Sequence, residues 1–178
     1  WMLYSTGALA ILAYIAARFL LASPYSGRLR TAWRLFAYFF LTIGSASIFV
    51  HLLKFLIGRG RPELYAEIGA YSLTPFTGDN LYESFPSGHS TAAGAFFGAF
   101  AMLIPRFRYV FMALALVIGV SRVIVGAHYP SDVAAGLLLG IWTAMLFAFI
   151  FARKEWLFRL IKGWPYPKNT PLPPADQA

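Results

Sequence analysis

The sequence predicts an all-α protein, a polytopic bundle of transmembrane helices that forms a single domain over residues 1–178. Two observations lead to this prediction. The chain is 59% hydrophobic and only 12% charged, with a mean hydropathy of +0.63, whereas a soluble domain is about half apolar and a quarter charged. Its apolar residues also fall into long runs, and a membrane-spanning helix needs about 20 such residues.

Five stretches meet this requirement as helices, the form that satisfies the backbone polar groups in lipid. They cover about 4–22, 33–57, 87–105, 109–125 and 131–152. The chain opens on Trp1-Met2, already inside an apolar run and without an initiating methionine. We therefore expect residues, and one further helix, upstream of the first stretch.

The distribution of basic residues predicts the orientation. Ten lie on one side of the membrane: Arg28, Arg30, Arg34, Arg106, Arg108, Arg153, Lys154, Arg159, Lys162 and Lys168. Four lie on the other side: Lys54, Arg59, Arg61 and Arg122. Because short cytoplasmic loops are rich in Lys and Arg, the side with ten should be cytoplasmic.

The segments outside the predicted helices differ in character. Residues 62–85 form a long outer loop with five aromatic and four acidic residues; a lid or binding loop and a disordered connector are equally consistent with it. Residues 165–178 are rich in proline and polar residues, which predicts a disordered tail. Trp156 and Trp164 indicate an interfacial segment before it. Two small-xxx-small patterns, Gly94–Gly98 and Gly136–Gly140, predict close helix packing within the bundle.

Composition also excludes several classes of protein. The chain has no cysteine, so disulfides, zinc thiolate sites and cysteine nucleophiles are absent. Its formal charge of +8 comes from short loops between apolar runs. No basic block is interleaved with aromatic residues, which argues against nucleic-acid binding.

Two polar clusters fall at helix ends on the outer side. Lys54 and Arg61 are seven residues apart, so a helix continuing to Pro62 would place both on one face. Alone they resemble a basic interface anchor, but the positive-inside rule depletes cations on this side. The segment Pro86-Ser87-Gly88-His89 begins the third helix, where Ser87 can cap the helix and the free N–H groups form an anion site. Alone it is better explained as a simple cap with an incidental histidine.

The third cluster is Ser121-Arg122-x5-His128-x3-Asp132, at the junction of the last two helices. Ionisable groups at membrane depth are costly and usually functional. His128 and Asp132 are four residues apart, so the carboxylate can reach the imidazole and fix its tautomer. We interpret His128 as a nucleophile held by Asp132, and Arg122 as a phosphate ligand. The three clusters together bring two histidines, one aspartate and three strong cations to one membrane face, which predicts an active site there.

Two further polar residues are less informative. Arg59 either helps to bind a headgroup or merely faces it. His51 lies one turn before Lys54, and a satisfied core histidine is the favoured interpretation.

The three motifs resemble, in order and at all defining positions, the signature of the type-2 phosphatidic-acid phosphatase superfamily. The match runs from the second predicted helix to the fifth, and hydropathy favours the membrane branch over the similar but soluble vanadium haloperoxidases. This resemblance implies six helices in the full protein and metal-independent phosphate-ester hydrolysis through a phosphohistidine, without a cofactor. It assigns His128 as nucleophile, Asp132 as its support and His89 as the proton donor. Lys54, Arg61, Ser87, Gly88 and Arg122 would bind the phosphoryl oxygens.

The predicted function is thus a lipid phosphatase of the bacterial inner membrane, with its site facing the periplasm. Its partners would be a phosphorylated lipid substrate and the surrounding membrane lipids. Three substrates stay open: phosphatidylglycerol phosphate, undecaprenyl diphosphate and lipid A. A phospholipid-binding or transporting protein is the alternative from a different class, although binding alone requires cations but neither a nucleophile nor a proton shuttle.

Overall fold

The computed structural model describes residues 26–169 and confirms the all-α bundle. The described elements are α1 (Ser26–Ile57), α2 (Tyr65–Ile68), α3 (Gly88–Leu103), α4 (Arg108–Ile124), α5 (Pro130–Arg153), β1 (Phe158–Ile161) and β2 (Trp164–Pro167). Short 3-10 turns occupy Pro62–Leu64, Asn80–Tyr82 and Pro105–Phe107. The predicted span at 4–22 lies outside the described residues.

Three of the described helical segments are long and apolar enough to cross a membrane: Gly27–Ile57, Pro105–Ile124 and Pro130–Arg153. The chain is therefore a multi-pass membrane protein. The predicted helix near 87–105 also forms, but α3 has only 16 residues, about 24 Å of helix. It packs against α1, α4 and α5, and several of its small residues are buried.

The interface between α3 and α5 depends on glycine. Both small-xxx-small patterns lie in it, as predicted: a Cβ at Gly94 would meet the Leu137 backbone, and one at Gly140 would collide with the Thr91 carbonyl. Gly136 packs equally closely on the Ser87 carbonyl oxygen. Because small residues let two backbones approach, α5 lies directly against the N-terminal half of α3, and this contact sets the position of the α5 N-terminus.

The two ends of the bundle are named by their connections: the 62–85 loop lies at the outer end, and the hairpin of β1 and β2 lies at the inner end. The inner end is closed by aromatic packing. Tyr38 of α1 is fully buried and its hydroxyl donates to the Ala144 carbonyl at 2.9 Å. Its ring contacts those of Phe151 and Phe158 edge-on. Phe158 belongs to the antiparallel hairpin of β1 and β2. This hairpin anchors the end of the chain that follows α5 to the bundle core.

The hairpin corrects two expectations. The disordered tail was expected from residue 165, but Trp164–Pro167 is a strand paired with β1, and residues 170–178 lie outside the described residues. The segment around Trp156 and Trp164 is not a simple interfacial stretch either. Trp156 packs on Phe151 and Trp33. The strand Trp164–Pro167 forms despite its two prolines, because prolines at alternate positions of an edge strand leave its paired backbone groups intact.

The end of α1 also differs from the prediction. The helix ends at Ile57, four residues before Arg61, because Gly58 adopts a left-handed conformation with φ of 61°. A side chain there would collide with the Thr74 carbonyl. Pro62 therefore starts a 3-10 turn instead of ending the helix. Lys54 and Arg61 do not share a helix face, although they still meet at one site.

The outer loop 62–85 is ordered by hydrogen bonds to the segment that follows α1. The Thr74 amide donates to the Gly58 carbonyl at 2.7 Å, and the Ser84 amide donates to the Arg59 carbonyl at 3.0 Å. The Arg61 amide donates to the Leu81 carbonyl at 2.9 Å. The loop thus forms a fixed cover beside the outer ends of the helices, which contradicts the interpretation as a disordered connector.

Candidate active site

A cavity of about 540 Å³ opens at the outer end of the bundle, between α1, the N-terminus of α3 and the end of α4. Its ionisable lining is Lys54, Arg61, Arg122, His51, His89, His128 and Glu83. The three predicted clusters therefore converge on one cavity, as their placement on one membrane face predicted.

The cavity continues along α1 as an apolar groove. Ile43, Ser47 and Val50 line it together with Ala92 of α3. Their spacing of four and three residues puts the α1 side chains on one helix face. Ile43 lies eleven residues before Lys54, so the groove descends about 16 Å from the charged end into the bundle. A charged mouth above an apolar groove fits a molecule with a charged head and an apolar chain.

Two of the three cations of the cavity are held by the outer loop. Lys54 is buried, its ammonium group donates to the Glu83 carbonyl, and it lies 4.0 Å from the Glu83 carboxylate. The Arg61 guanidinium donates through Nε to the Asn80 carbonyl and through Nη2 to its side-chain oxygen, both at 2.8 Å. These contacts orient both side chains in the cavity before any ligand arrives.

The N-terminus of α3 supplies the next wall. Gly88 and His89 line the cavity, and Lys54 is the nearest side chain to the position that a Gly88 Cβ would take. Ser87 is the N-cap, as predicted: its fully buried hydroxyl accepts from the Ser90 amide. The structure places Ser87 behind the cavity wall and not among the lining residues. What reaches the cavity is the first turn of the helix, where N–H groups favour anions.

His128 and Asp132 lie where the motif predicted, in the turn after α4 and in the first turn of α5. His128 lines the cavity, whereas Asp132 is fully buried behind it. The His128 Nδ1 atom is 3.7 Å from Asp132 Oδ2, longer than a hydrogen bond, and it has no other partner. Because Nδ1 faces Asp132, the opposite nitrogen, Nε2, is the one available to the cavity.

The Asp132 carboxylate is held mainly by other groups. Arg59 donates to Oδ1 at 2.6 Å, and Oδ2 accepts from the Ser84 hydroxyl at 2.6 Å and from the Tyr129 amide at 3.0 Å. The interpretation of Arg59 as a headgroup ligand is not supported by its position, since Arg59 does not line the cavity. Sequence reasoning also missed Ser84, and only the proximity of Ser84 to the Pro86-Ser87-Gly88-His89 motif hinted at it.

One tyrosine, Tyr129, and one histidine, His51, complete the surroundings of the site. The Tyr129 ring lies 4.3 Å from the Arg59 guanidinium, and burial raises the pKa of the Tyr129 phenol, which keeps it neutral. His51 lines the cavity one turn below Lys54 and is exposed to it. His51 is therefore not the satisfied core histidine that the sequence favoured.

The side chains that line the cavity carry more positive than negative charge. Lys54, Arg61 and Arg122 face the cavity against one carboxylate, that of Glu83. The Asp132 carboxylate, which is fully buried, is paired with Arg59 outside the cavity. An excess of positive charge therefore remains for a phosphate group. Among residues 26–169, no group of three or more His, Asp or Glu side chains is arranged to hold a metal ion.

The PAP2 superfamily model matches residues 34–156, a range that contains all three clusters. The chain belongs to the PAP2 superfamily. It is 52% identical to the lipid A 1-phosphatase of Rhizobium johnstonii over 134 residues. The aligned region covers 75% of this chain and 55% of that protein. The same identity over the same length holds for the lipid A 1-phosphatase of Rhizobium etli, with 58% of that protein covered.

A third relative acts on a different lipid. The undecaprenyl-diphosphatase of Sulfolobus acidocaldarius is 34% identical over 96 residues, 52% of this chain and 44% of that protein. The chain spans a little over half the length of the two Rhizobium relatives.

Proposed function

We propose that this PAP2 superfamily member is a lipid phosphatase that removes the phosphate at position 1 of lipid A. The observation that carries the proposal is the convergence of His128, His89 and three cations on a cavity that continues into an apolar groove. The 52% identity to two lipid A 1-phosphatases favours lipid A over the other two candidate lipids.

In the proposed first step, the Nε2 atom of His128 attacks phosphorus. The P–N bond forms as the P–O bond to the lipid breaks, and His89 gives its proton to the leaving oxygen. Lys54, Arg61 and Arg122, with the N-terminal amides of α3 beside Gly88, stabilise the charge on the phosphoryl oxygens. Phosphoryl transfer depends mainly on such positioning and charge stabilisation.

In the second step, His89 takes a proton from water, which attacks phosphorus and breaks the P–N bond. Inorganic phosphate leaves and His128 is regenerated. Two easier steps replace one difficult step, which is the advantage of a nucleophilic side chain. Asp132 supports the positive imidazole ring during both steps.

Two properties of the site complete the proposal. The reaction is metal-independent, because three cations replace a metal clamp. The site faces the periplasm of a bacterial inner membrane, because ten basic residues lie on the opposite side and short cytoplasmic loops are enriched in them.

The test is phosphate release from purified lipids in detergent: lipid A, phosphatidylglycerol phosphate and undecaprenyl diphosphate, with wild type and His128→Ala side by side. We expect wild type to act fastest on lipid A, a labelled phosphohistidine to form only with wild type, and EDTA to leave the rate unchanged. Preference for undecaprenyl diphosphate would correct the substrate. Binding of lipid A without phosphate release would support the transport alternative instead.

A further inference from the structure

We propose that Arg59 and Ser84 are positioning residues for this reaction: they hold the Asp132 carboxylate against the Nδ1 edge of His128, and neither binds the substrate. The inference rests on the proposed function and adds two residues that are not defining positions of any motif of the site.

The position of Asp132 requires such support. Its side chain is completely buried, and a buried carboxylate without partners carries a large desolvation cost. Three donors meet this need, from Arg59, Ser84 and the Tyr129 amide. Of these, only Arg59 carries a charge. Arg59 is therefore the counter-ion of Asp132. The three cations that line the cavity are not needed to balance the charge of this carboxylate.

Arg59 is itself fixed from several directions. Its Nε donates to the Ala70 carbonyl at 3.0 Å, and its Nη1 donates to the Ser131 hydroxyl at 2.8 Å as well as to Asp132. Its guanidinium also lies on the Tyr129 ring. A cation held at this many points has little freedom to swing into the cavity and contact a phosphate.

Arg59 and Arg61 are two positions apart and have different partners. Once α1 has ended, Arg59 pairs with Leu73 in an isolated antiparallel bridge, and Arg61 has extended backbone angles. Residues two positions apart in a regular strand share one side, yet Arg61 lines the cavity and Arg59 pairs with Asp132. Their partners separate the two guanidinium groups: Asn80 accepts from Arg61, and Asp132 accepts from Arg59.

Ser84 is placed by the same segment. Its amide donates to the Arg59 carbonyl at 3.0 Å, so the two donors to Asp132 are tied to one another. The Ser87 amide in turn donates to the Asp132 backbone carbonyl at 2.9 Å. Asp132 is thus bonded to Ser84 of the outer loop through its side chain and to Ser87 at the start of α3 through its backbone. A shift of Asp132 would change the position of its carboxylate relative to the Nδ1 atom of His128.

The experiment measures kcat and KM for phosphate release in detergent, with the best lipid of the panel. We expect Arg59→Ala to lower kcat by about 100-fold, the cost of a small misplacement in an active site, with KM changed by less than about threefold. Arg59→Lys should recover part of kcat because it keeps the charge. Ser84→Ala should lower kcat by about tenfold, since it removes one of three donors.

A double-mutant cycle then separates positioning from substrate binding. If Arg59 acts only through Asp132, Arg59→Ala should have almost no further effect on kcat in an Asp132→Asn background. Arg61→Ala, which removes a cavity cation, should remain costly in that background. Arg106→Ala, on the opposite membrane side, is the matched control and should leave kcat and KM unchanged.

The outcomes are distinct. A raised KM with unchanged kcat in Arg59→Ala, or an undiminished loss in the Asp132→Asn background, would overturn the proposal. If thermal unfolding shows that Arg59→Ala does not fold, the same cycle is measured with Ser84→Ala in the Asp132→Asn background. An undiminished loss of kcat there would overturn the proposal. A wild type that releases phosphate from no lipid would overturn the proposed function and this inference with it, whereas an active wild type with an unaffected Arg59→Ala overturns the inference alone.

Discussion

The outer and inner ends of this bundle are held together by different physical interactions. At the outer end, Asp132, Lys54 and Arg61 are held by hydrogen bonds and ion pairs from the segment after α1. At the inner end, Tyr38 and two phenylalanines pack edge-on in an apolar core. The inner end relies on shape and burial, whereas the outer end relies on directed donors.

The α3–α5 interface links these ends. Its glycines let the helices meet at backbone distance, which places the N-termini of both helices side by side at the cavity. We therefore expect stability and catalysis to depend on different residues in this protein. Substitutions at the cavity should abolish catalysis in a folded protein, and those in the packed interior should reduce stability while the remaining folded molecules stay active.

The largest expected effect is that of His128→Ala. Removing the nucleophile should lower phosphate release by about 10⁴-fold or more, and adding His89→Ala should reduce it little further, because members of one catalytic unit are not additive. Thermal unfolding in detergent should stay within a few degrees of wild type. Retention of a tenth of wild-type activity by His128→Ala would contradict the proposed nucleophile.

Arg61→Ala should have the next largest effect. Loss of one preorganised cation from the developing charge should lower kcat/KM by about 10²–10³-fold. Asn80→Ala leaves the cation and the backbone acceptor but removes the side-chain oxygen that accepts from Arg61. It provides the matched comparison and should cost less. Equal losses in the two variants, measured by phosphate release, would mean that Arg61 acts only when Asn80 holds it.

Gly140→Ala tests the packed interior. Its new methyl group would collide with the Thr91 carbonyl, so we expect a loss of about 1–3 kcal/mol in unfolding free energy. The matched variant is Gly27→Ala, since no atom lies within 4 Å of the added group. It should leave stability unchanged or slightly raised. Thermal unfolding in detergent compares the two, and equal stability would disprove the close contact.

Tyr38→Phe should have the smallest effect. It removes the buried hydroxyl that donates to the Ala144 carbonyl and keeps the ring packing, so stability should fall by about 1 kcal/mol. The specific activity of the folded protein should not change. A fall in kcat with unchanged stability would show that the inner and outer ends are coupled.

Much of the fold was predictable because apolar periodicity dominates it. Helices at 33–57, 109–125 and 131–152 agree with α1, α4 and α5 to within several residues. The greater error is at the start of α1, where the polar run from Ser26 continues the helix beyond the apolar stretch. The hairpin after α5 was not predicted, because its strands are four residues each and contain two prolines.

The candidate site was predictable to the extent that its members fall in motifs. Lys54, Arg61, His89, Arg122 and His128 all line one cavity. The side-chain partners of Asp132, Ser84 and Arg59, were not predictable, because they lie 48 and 73 residues away in the sequence. Only pairing of the outer loop with the end of α1 brings them together.

The sequence by itself determined that the protein is a membrane bundle and which residue types gather at its outer face, since hydropathy and motif spacing are local properties of the chain. Tertiary structure decided which of those residues face the cavity. Arg59 and Arg61 are both arginines, two positions apart, yet one pairs with Asp132 and the other lines the cavity. The physical reason is that each guanidinium is held by acceptors that only the folded chain brings near, Asp132 for Arg59 and Asn80 for Arg61.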